Sequence, residues 1–243
     1  MKAIALTDRG MVRQNNEDTV YCSVQQVGGL PNLFVVADGM GGAKAGEYAS
    51  GFVIKELVRQ IKNDRHRKEL PSVLRRGIEA ANALLFKKAR HDSNLEGCGT
   101  TLVTAYVDDG VLYVANIGDS RLYIIGNDIE QITRDHSYVE EMVKCGRMER
   151  GSKDYIQNKN IITRAVGIDK NVEIDFFDRE LDGDETILLC TDGLSNMLDD
   201  KDILNIIRES DSVEEAGRKL ISTANEHGGV DNVSVVLATD LKE

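Results

Sequence analysis

The chain has 243 residues, 41% hydrophobic and 29% charged, with only 2 Pro and 22 Gly. These figures exclude a disordered, collagen-like or linker-dominated chain and allow a sizeable core. Against 30 basic residues stand 41 acidic ones, a formal charge of -11, which repels nucleic-acid phosphates and anionic lipid surfaces and sets both aside as partners.

In chain order, residues 1–7 form a short apolar run cut by Asp8 and Arg9, shorter than a signal-peptide core. No later stretch approaches membrane-spanning length, so a cytoplasmic protein is expected. Strands are predicted at residues 19–23 and 33–37, then helices at 45–62, with Phe52, Val53, Leu57 and Ile61 inward, and at 72–90. Between those helices Arg59, Arg67 and Lys68 belong to a basic cluster read as a solvated helix end. Further strands are predicted at 101–107, 112–116, 121–125, 174–179, 186–190 and 233–238, and helices at 199–207 and 212–226, the latter opened by the capping-box pair Ser212 and Glu215. Asp109-Gly110 between two apolar runs predicts a tight antiparallel hairpin. Residues 144–160 show little apolar periodicity and read as a surface loop. No repeat or linker interrupts residues 1–243, so a single domain is expected. Strands concentrated mid-chain with helices in pairs point to an α+β fold, sheet packed on sheet with helix pairs outside.

An aspartate recurs at the ends of apolar runs. Asp38 follows 33–37, Asp119 follows 111–118, Asp192 follows 188–191, and Asp231 precedes 233–238. Any one Asp-Gly is turn chemistry, as expected for Asp182-Gly183. Asp38 differs, because Asp38-Gly39-Met40-Gly41-Gly42 carries three glycines in four residues, more than a reverse turn needs. Glycines let backbone approach a ligand, so the Gly39 carbonyl is a candidate ligand. Carboxylates converging on one rim repel unless cations separate them, and hard oxygen ligands select Mg²⁺ or Mn²⁺. Upstream, Arg13 and the acids Glu17 and Asp18 share the segment Arg13-Gln14-Asn15-Asn16-Glu17-Asp18. A guanidinium beside a cation-loaded acidic pocket suits a phosphate monoester.

The four cysteines, Cys22, Cys98, Cys145 and Cys190, show no C-x-x-C spacing and are expected to be reduced and mostly buried. Cys190 lies in an apolar run rather than a phosphate-binding loop, which argues against a cysteine nucleophile. The four histidines have no i,i+3 or i,i+4 pairing, so a zinc site is not expected.

Eight stretches in order resemble the metal-dependent Ser/Thr protein phosphatases of the PPM, or type 2C, class in compact bacterial form. They are R-x-x-N-E-D at 13–18, V-A-D-G-M-G-G-x-x-x-G at 36–46, G-T-T at 99–101, N-x-G-D-S-R at 116–121, T-R-D-H-S at 133–137, N-I-I-T-R-A-V-G at 160–167, L-C-T-D-G-L at 189–194 and G-V-D-N-V at 229–233. The resemblance implies a four-layer α-β-β-α sandwich of two antiparallel sheets and hydrolysis of phosphoserine and phosphothreonine by direct attack of a metal-bridging water. It implies that Asp38 bridges two Mn²⁺ or Mg²⁺ ions, that the Gly39 carbonyl binds one, and that Asp192 and Asp231 complete the other. Glu17 would act through water, Arg13 would hold the phosphate, and Asp119 with Asp192 would hold a weaker third metal. Residues 144–160 would form the family's flap, and the partners would be phosphoproteins, a Ser/Thr kinase and its targets, met by a monomer. Where many eukaryotic members have His, this chain has Met40, which cannot give the leaving group a proton. His136 reads as part of a helix entrance. The competing readings are a catalytically silent phosphoprotein-binding module of the same fold, and a two-metal phosphodiesterase or nuclease, which the acidic charge disfavours.

Overall fold

The computed structural model describes residues 1–42, 45–64 and 70–241. Arg67 and Lys68 of the basic cluster lie outside the described residues. In chain order the elements are β1 (Lys2–Asp8), β2 (Asp18–Ser23), β3 (Leu33–Met40), α1 (Ala45–Asn63), α2 (Leu70–Ala89), a 3-10 turn (Ser93–Leu95), β4 (Gly99–Thr100), β5 (Leu102–Asp108), β6 (Val111–Ile117), β7 (Arg121–Ile125) and β8 (Ile129–Gln131). They continue with α3 (Tyr138–Lys144), α4 (Lys153–Asn158), β9 (Asp175–Glu180), β10 (Thr186–Cys190), α5 (Asp192–Ser195), α6 (Asp200–Arg208), α7 (Val213–Glu226) and β11 (Val233–Thr239).

One sheet has the order β1-β11-β10-β7-β8, the other β2-β3-β5-β6-β9 with β4 paired to β3, and the paired strands of both run antiparallel. Strand alternation sorts the side chains into three apolar layers. Leu33, Val35 and Ala37 of β3 meet Val53 and Leu57 of α1 and Leu74 and Leu85 of α2. Phe34 and Val36, on the opposite face, join Val103, Val114, Leu122, Leu189 and Val236 between the sheets. Leu188, Val235 and Leu237 pack under Ile203 of α6 and Leu220 of α7. The result is the expected α-β-β-α sandwich. Asp109 and Gly110 both take positive φ, 48° and 74°, in the β5–β6 hairpin, and the register Asp108↔Val111 leaves them as its two-residue turn.

Two expectations change. Residues 2–8, read only as an apolar run, form β1, because that run pairs with β11 at the far end of the chain, a partner invisible to local pattern. Residues 144–160, read as a loop, contain α4. Ser152 caps it by accepting from the Tyr155 N–H, and the Tyr155 hydroxyl donates to Glu140 of α3 at 2.8 Å. No helix among the described residues is long and apolar enough to cross a membrane.

Candidate active site

At one end of the sandwich the middle layer runs out of apolar side chains. The β3 series Phe34, Val36 continues as Asp38, and the β2 series Cys22, Val20 continues as Asp18. By the same parity β5 ends in Thr101, β7 in Ser120, β10 in Thr191, and β11 in Ser234 and Asn232. A period of two therefore carries a row of polar groups to one rim.

Those groups hold each other. The Asp38 N–H donates to Thr101 Oγ1 at 2.9 Å, while the Asp38 carbonyl accepts from the Thr101 N–H and the Thr100 hydroxyl at 2.8 Å each. Thr101 Oγ1 is 2.7 Å from Ser120 Oγ, which ties Asp38 to the Gly118-Asp119-Ser120 turn. Asp192 opens α5, and its Oδ2 accepts from Asn196 Nδ2 at 2.9 Å; Asn196 in turn accepts from Lys159 Nζ at 2.8 Å. Asp119 and Asp192 line a common pocket of about 290 Å³ with Tyr155 and Lys159. Asp231 takes Arg13 Nη2 at 2.8 Å, so the half-exposed guanidinium is already paired with a candidate metal ligand. Asn232 closes the loop leading to Arg13 and Glu17. It donates to the Arg9 and Asn15 carbonyls at 2.9 Å and accepts the Glu17 N–H at 2.8 Å.

Glycine acts here through close approach of chain to chain. A Cβ on Gly46 would lie 2.7 Å from the Glu17 carboxyl and 2.8 Å from the Gly39 carbonyl, so the bare Cα keeps those two oxygen donors side by side. A Cβ on Gly39 would lie 2.0 Å from the Gly46 carbonyl. The glycines around Asp38 thus serve packing as well as ligand access.

The electrostatics are those of unshielded like charges. Burial first, then neighbouring aspartates, pushes Asp119 up to about 8 and Asp38 well above the usual carboxylate range. The same causes raise Asp192. Asp38 and Asp192 keep some surface open to the cleft, but protein encloses their other sides. Burial also raises Glu17, against the pull of Arg13. Asp231 in turn raises Arg13. Among the described residues no three His, Cys, Asp or Glu side chains converge tightly enough to clasp an ion as they stand. The Oδ1 atoms of Asp18 and Asp192 are nonetheless buried without a hydrogen-bond partner. A donor set of carboxylates and a backbone carbonyl, with oxygens left unsatisfied, fits hard divalent cations.

Asp18 is the residue whose place sequence reading missed. It sits opposite Asp38 in the β2–β3 register, its Oδ2 accepts from Thr191 at 2.9 Å, and burial pushes it up to about 7. Asn196 was missed as well, since an Asn four residues beyond Asp192 carries no signal until a helical turn folds it back. His136 is buried; its Nδ1 accepts from the Gly118 N–H at 3.1 Å and its Nε2 lies 3.1 Å from Asp175. Both ring nitrogens are engaged, which makes it a strut under the Asp119 turn. The described cysteines are all free; Cys98 and Cys190 are buried, Cys22 is half-buried and Cys145 is exposed. Burial pushes the Cys190 thiol up to about 12, which leaves it protonated and unreactive.

A family model described as Protein phosphatase 2C matches residues 11–239. The chain belongs to this family. Among relatives of this protein phosphatase 2C chain is the serine/threonine phosphatase stp of Listeria welshimeri, 35% identical over 241 residues that cover 98% of this chain and 95% of that one. The solved structure of serine/threonine phosphatase Stp1 from Staphylococcus aureus superposes with a TM-score of 0.89 at 35% identity, covering 98% of this phosphatase 2C chain and 94% of its own. The catalytic domain of the protein phosphatase PstP in complex with two manganese ions superposes at 0.83 and 34% identity, covering 97% and 96%.

Proposed function

We propose that this protein phosphatase 2C chain is one catalytic domain that removes phosphate from phosphoserine and phosphothreonine in proteins, with Mn²⁺ or Mg²⁺ as cofactor. The reading is supported by the mutual influence of the carboxylates Asp38, Asp119, Asp192 and Asp231 and by the Arg13–Asp231 pair, in a chain that matches this family along nearly its whole length. Asp38 with the Gly39 carbonyl, and Asp192 with Asp231, would hold a pair of cations; Glu17 stands beside Gly39 to reach the first of them through water. Asp119 and Asp192, lining one pocket, would hold a third. When bound, such ions would supply an acidified water and neutralise charge on the phosphoryl group.

The residues of the chain do the positioning. Thr101 and Ser120 fix the Asp38 backbone, Asn196 orients Asp192, and Asn232 keeps the Arg13 loop against Asp231. The guanidinium spends Nη2 on Asp231 and has further donors for phosphoryl oxygens. Met40 has no proton to give and both His136 nitrogens are occupied, so neither protonates the leaving alkoxide, and water in the cleft is the acid proposed for that step. The segment 144–160, joined to the site through Lys159 and Asn196, serves as a flap. The substrates are targets of a Ser/Thr kinase, and the kinase itself, in the cytoplasm, met by a monomer.

The test is phosphate release from a phosphothreonine peptide and from p-nitrophenyl phosphate with Mn²⁺ and with EDTA. Release of both that EDTA abolishes and Mn²⁺ restores supports the reading. Absence of release with Mn²⁺ rejects it.

A further inference from the structure

A hollow on the described surface lies outside the carboxylate cluster. It is an open groove of about 1210 Å³ bounded by α1, the end of α2 and the 3-10 turn, and its lining includes Gly42, Ala45, Tyr48, Phe52, Lys88 and Leu95. The antiparallel pairing of α1 and α2 brings the last turn of α2 beside the first turns of α1, at the end of the sandwich that holds Asp38. Tyr48 and Phe52, four residues apart on one helix face, stack at 5.6 Å between ring centroids, and Lys88 Nζ lies 5.3 Å over the Phe52 ring. Tyr48 is 37% exposed although Phe52 and Leu95 beside it pack on the core. The stack therefore offers an aromatic wall to something outside the chain.

We infer that this groove is the docking track for the polypeptide that flanks the phosphorylated residue, and that it selects an apolar side chain about three residues from the phosphate. The inference rests on the phosphatase reading and names the feature of the substrate that the carboxylate cluster cannot read. Continuity supports this occupant. The groove begins at Gly42, on the segment that leaves β3 three residues beyond the Gly39 carbonyl, and at Ala45, which shares the helix face of Tyr48 and Phe52. From Ala45 to Phe52 is seven helical residues, roughly 10 Å. An extended peptide covers that span in about three residues at ~3.3 Å each. Charge narrows the choice further: Lys55 and Lys88 are matched by Glu47 and Glu96 on the same walls, so the groove has no preference for an acidic or basic run and its discriminating surface is aromatic. A leucine or aromatic residue laid on the Tyr48 ring removes apolar area from water on both partners.

The experiment measures kcat/KM of the Mn²⁺-loaded protein on phosphothreonine peptides carrying leucine three residues before or after the phosphothreonine, on their alanine counterparts, and on p-nitrophenyl phosphate. The proteins compared are wild type, Tyr48→Ala and, on the opposite rim beside Arg13, Met11→Ser; Met11 and Tyr48 are both exposed, so neither change threatens folding. Wild type is expected to prefer one leucine peptide about tenfold through KM, the scale of a single apolar contact. Tyr48→Ala is expected to lose that preference while keeping its rate on p-nitrophenyl phosphate. An undiminished preference in Tyr48→Ala, or a loss confined to Met11→Ser, would overturn the inference and leave the phosphatase reading standing. A wild-type protein inert toward p-nitrophenyl phosphate would remove both.

Discussion

Single side chains at the polar rim carry opposed duties, since a carboxylate that binds cations destabilises the fold without them. Asp38→Asn and Asp192→Asn are each expected to cut Mn²⁺-dependent turnover at least a hundredfold, about 2.7 kcal/mol or more of barrier. The metal-free melting temperature should hold or rise, because one member of a repelling set has gone. More than a tenth of wild-type turnover in either variant would remove that residue from the site. Arg13→Ala should mainly raise KM, since the phosphate contact proposed for it would be made in ground and transition state alike; steady-state kinetics with an unchanged KM would disprove it. With Met40 beside Gly39 and His136 locked between Gly118 and Asp175, neither offers a proton to a poor leaving group, and water on the Asp119 side of the cleft is the proposed acid. Asp119→Ala should therefore keep a larger share of its rate on p-nitrophenyl phosphate, whose phenolate leaves unaided, than on a phosphothreonine peptide. Equal fractional losses on the two would show that Asp119 has no part in leaving-group departure.

Elements matter through the backbone they bring close. The first turn of α1 rests on the β3 terminus at Gly46, where Glu17, Gly39 and the helix meet without room for a methyl group. Gly46→Ala is expected to displace the Glu17 carboxyl and weaken Mn²⁺ activation at least tenfold. Gly51→Ala, on the same helix and with only the Thr19 hydroxyl 3.8 Å from the added carbon, should leave activation intact. Titrating activity against Mn²⁺ for both variants separates the local clash from a general effect on α1; equal behaviour would contradict it. The cap of α7 shows a smaller mismatch between pattern and structure. Ser212 accepts the Glu215 N–H as the capping box requires, but the Glu215 carboxylate takes the N–H of Asp211 instead of that of Ser212.

For the whole molecule, the buried carboxylates set the pH dependence of stability. Asp18 and Asp119 are pushed up to about 7 and about 8 from an ordinary 3.8, and Asp38, Asp192 and Glu17 are raised as well. A group whose folded-state pKa is raised contributes stability that is fully present below its unfolded value and is lost as pH rises through the folded one. The metal-free protein should therefore melt lower at pH 8.5 than at pH 5.5, by on the order of 5 °C or more. Asp175, held low by His136 and Arg164 against its own burial, acts oppositely but loses its contribution only below about pH 4. Saturating Mn²⁺ should flatten the slope and raise the melting temperature at pH 8.5, because the ion binds the ionised cluster of the folded state alone. Thermal melts across this range with EDTA and with Mn²⁺ check the claim, and a metal-free melting temperature that climbs from pH 5.5 to 8.5 would refute it.

The strands β7 and β10, the hairpin at Asp109-Gly110, the inward face of α1 and the recurrence of aspartate at run ends were all legible in the sequence, because each depends on a local period or turn chemistry. The same is true of the eight motifs and hence of the family. What lay beyond reach was set by partners distant in the chain: β1 as a strand, through β11; Asp18 as a buried carboxylate facing Asp38, through β2 pairing with β3 and Thr191 closing from the other sheet. The pairing of Arg13 with Asp231, 218 residues away, was likewise out of reach of local pattern. Local pattern says which face of a strand a side chain occupies. Only the packing of one sheet on the other determines which charges then stand together, how far burial shifts them, and what must be bound to hold them.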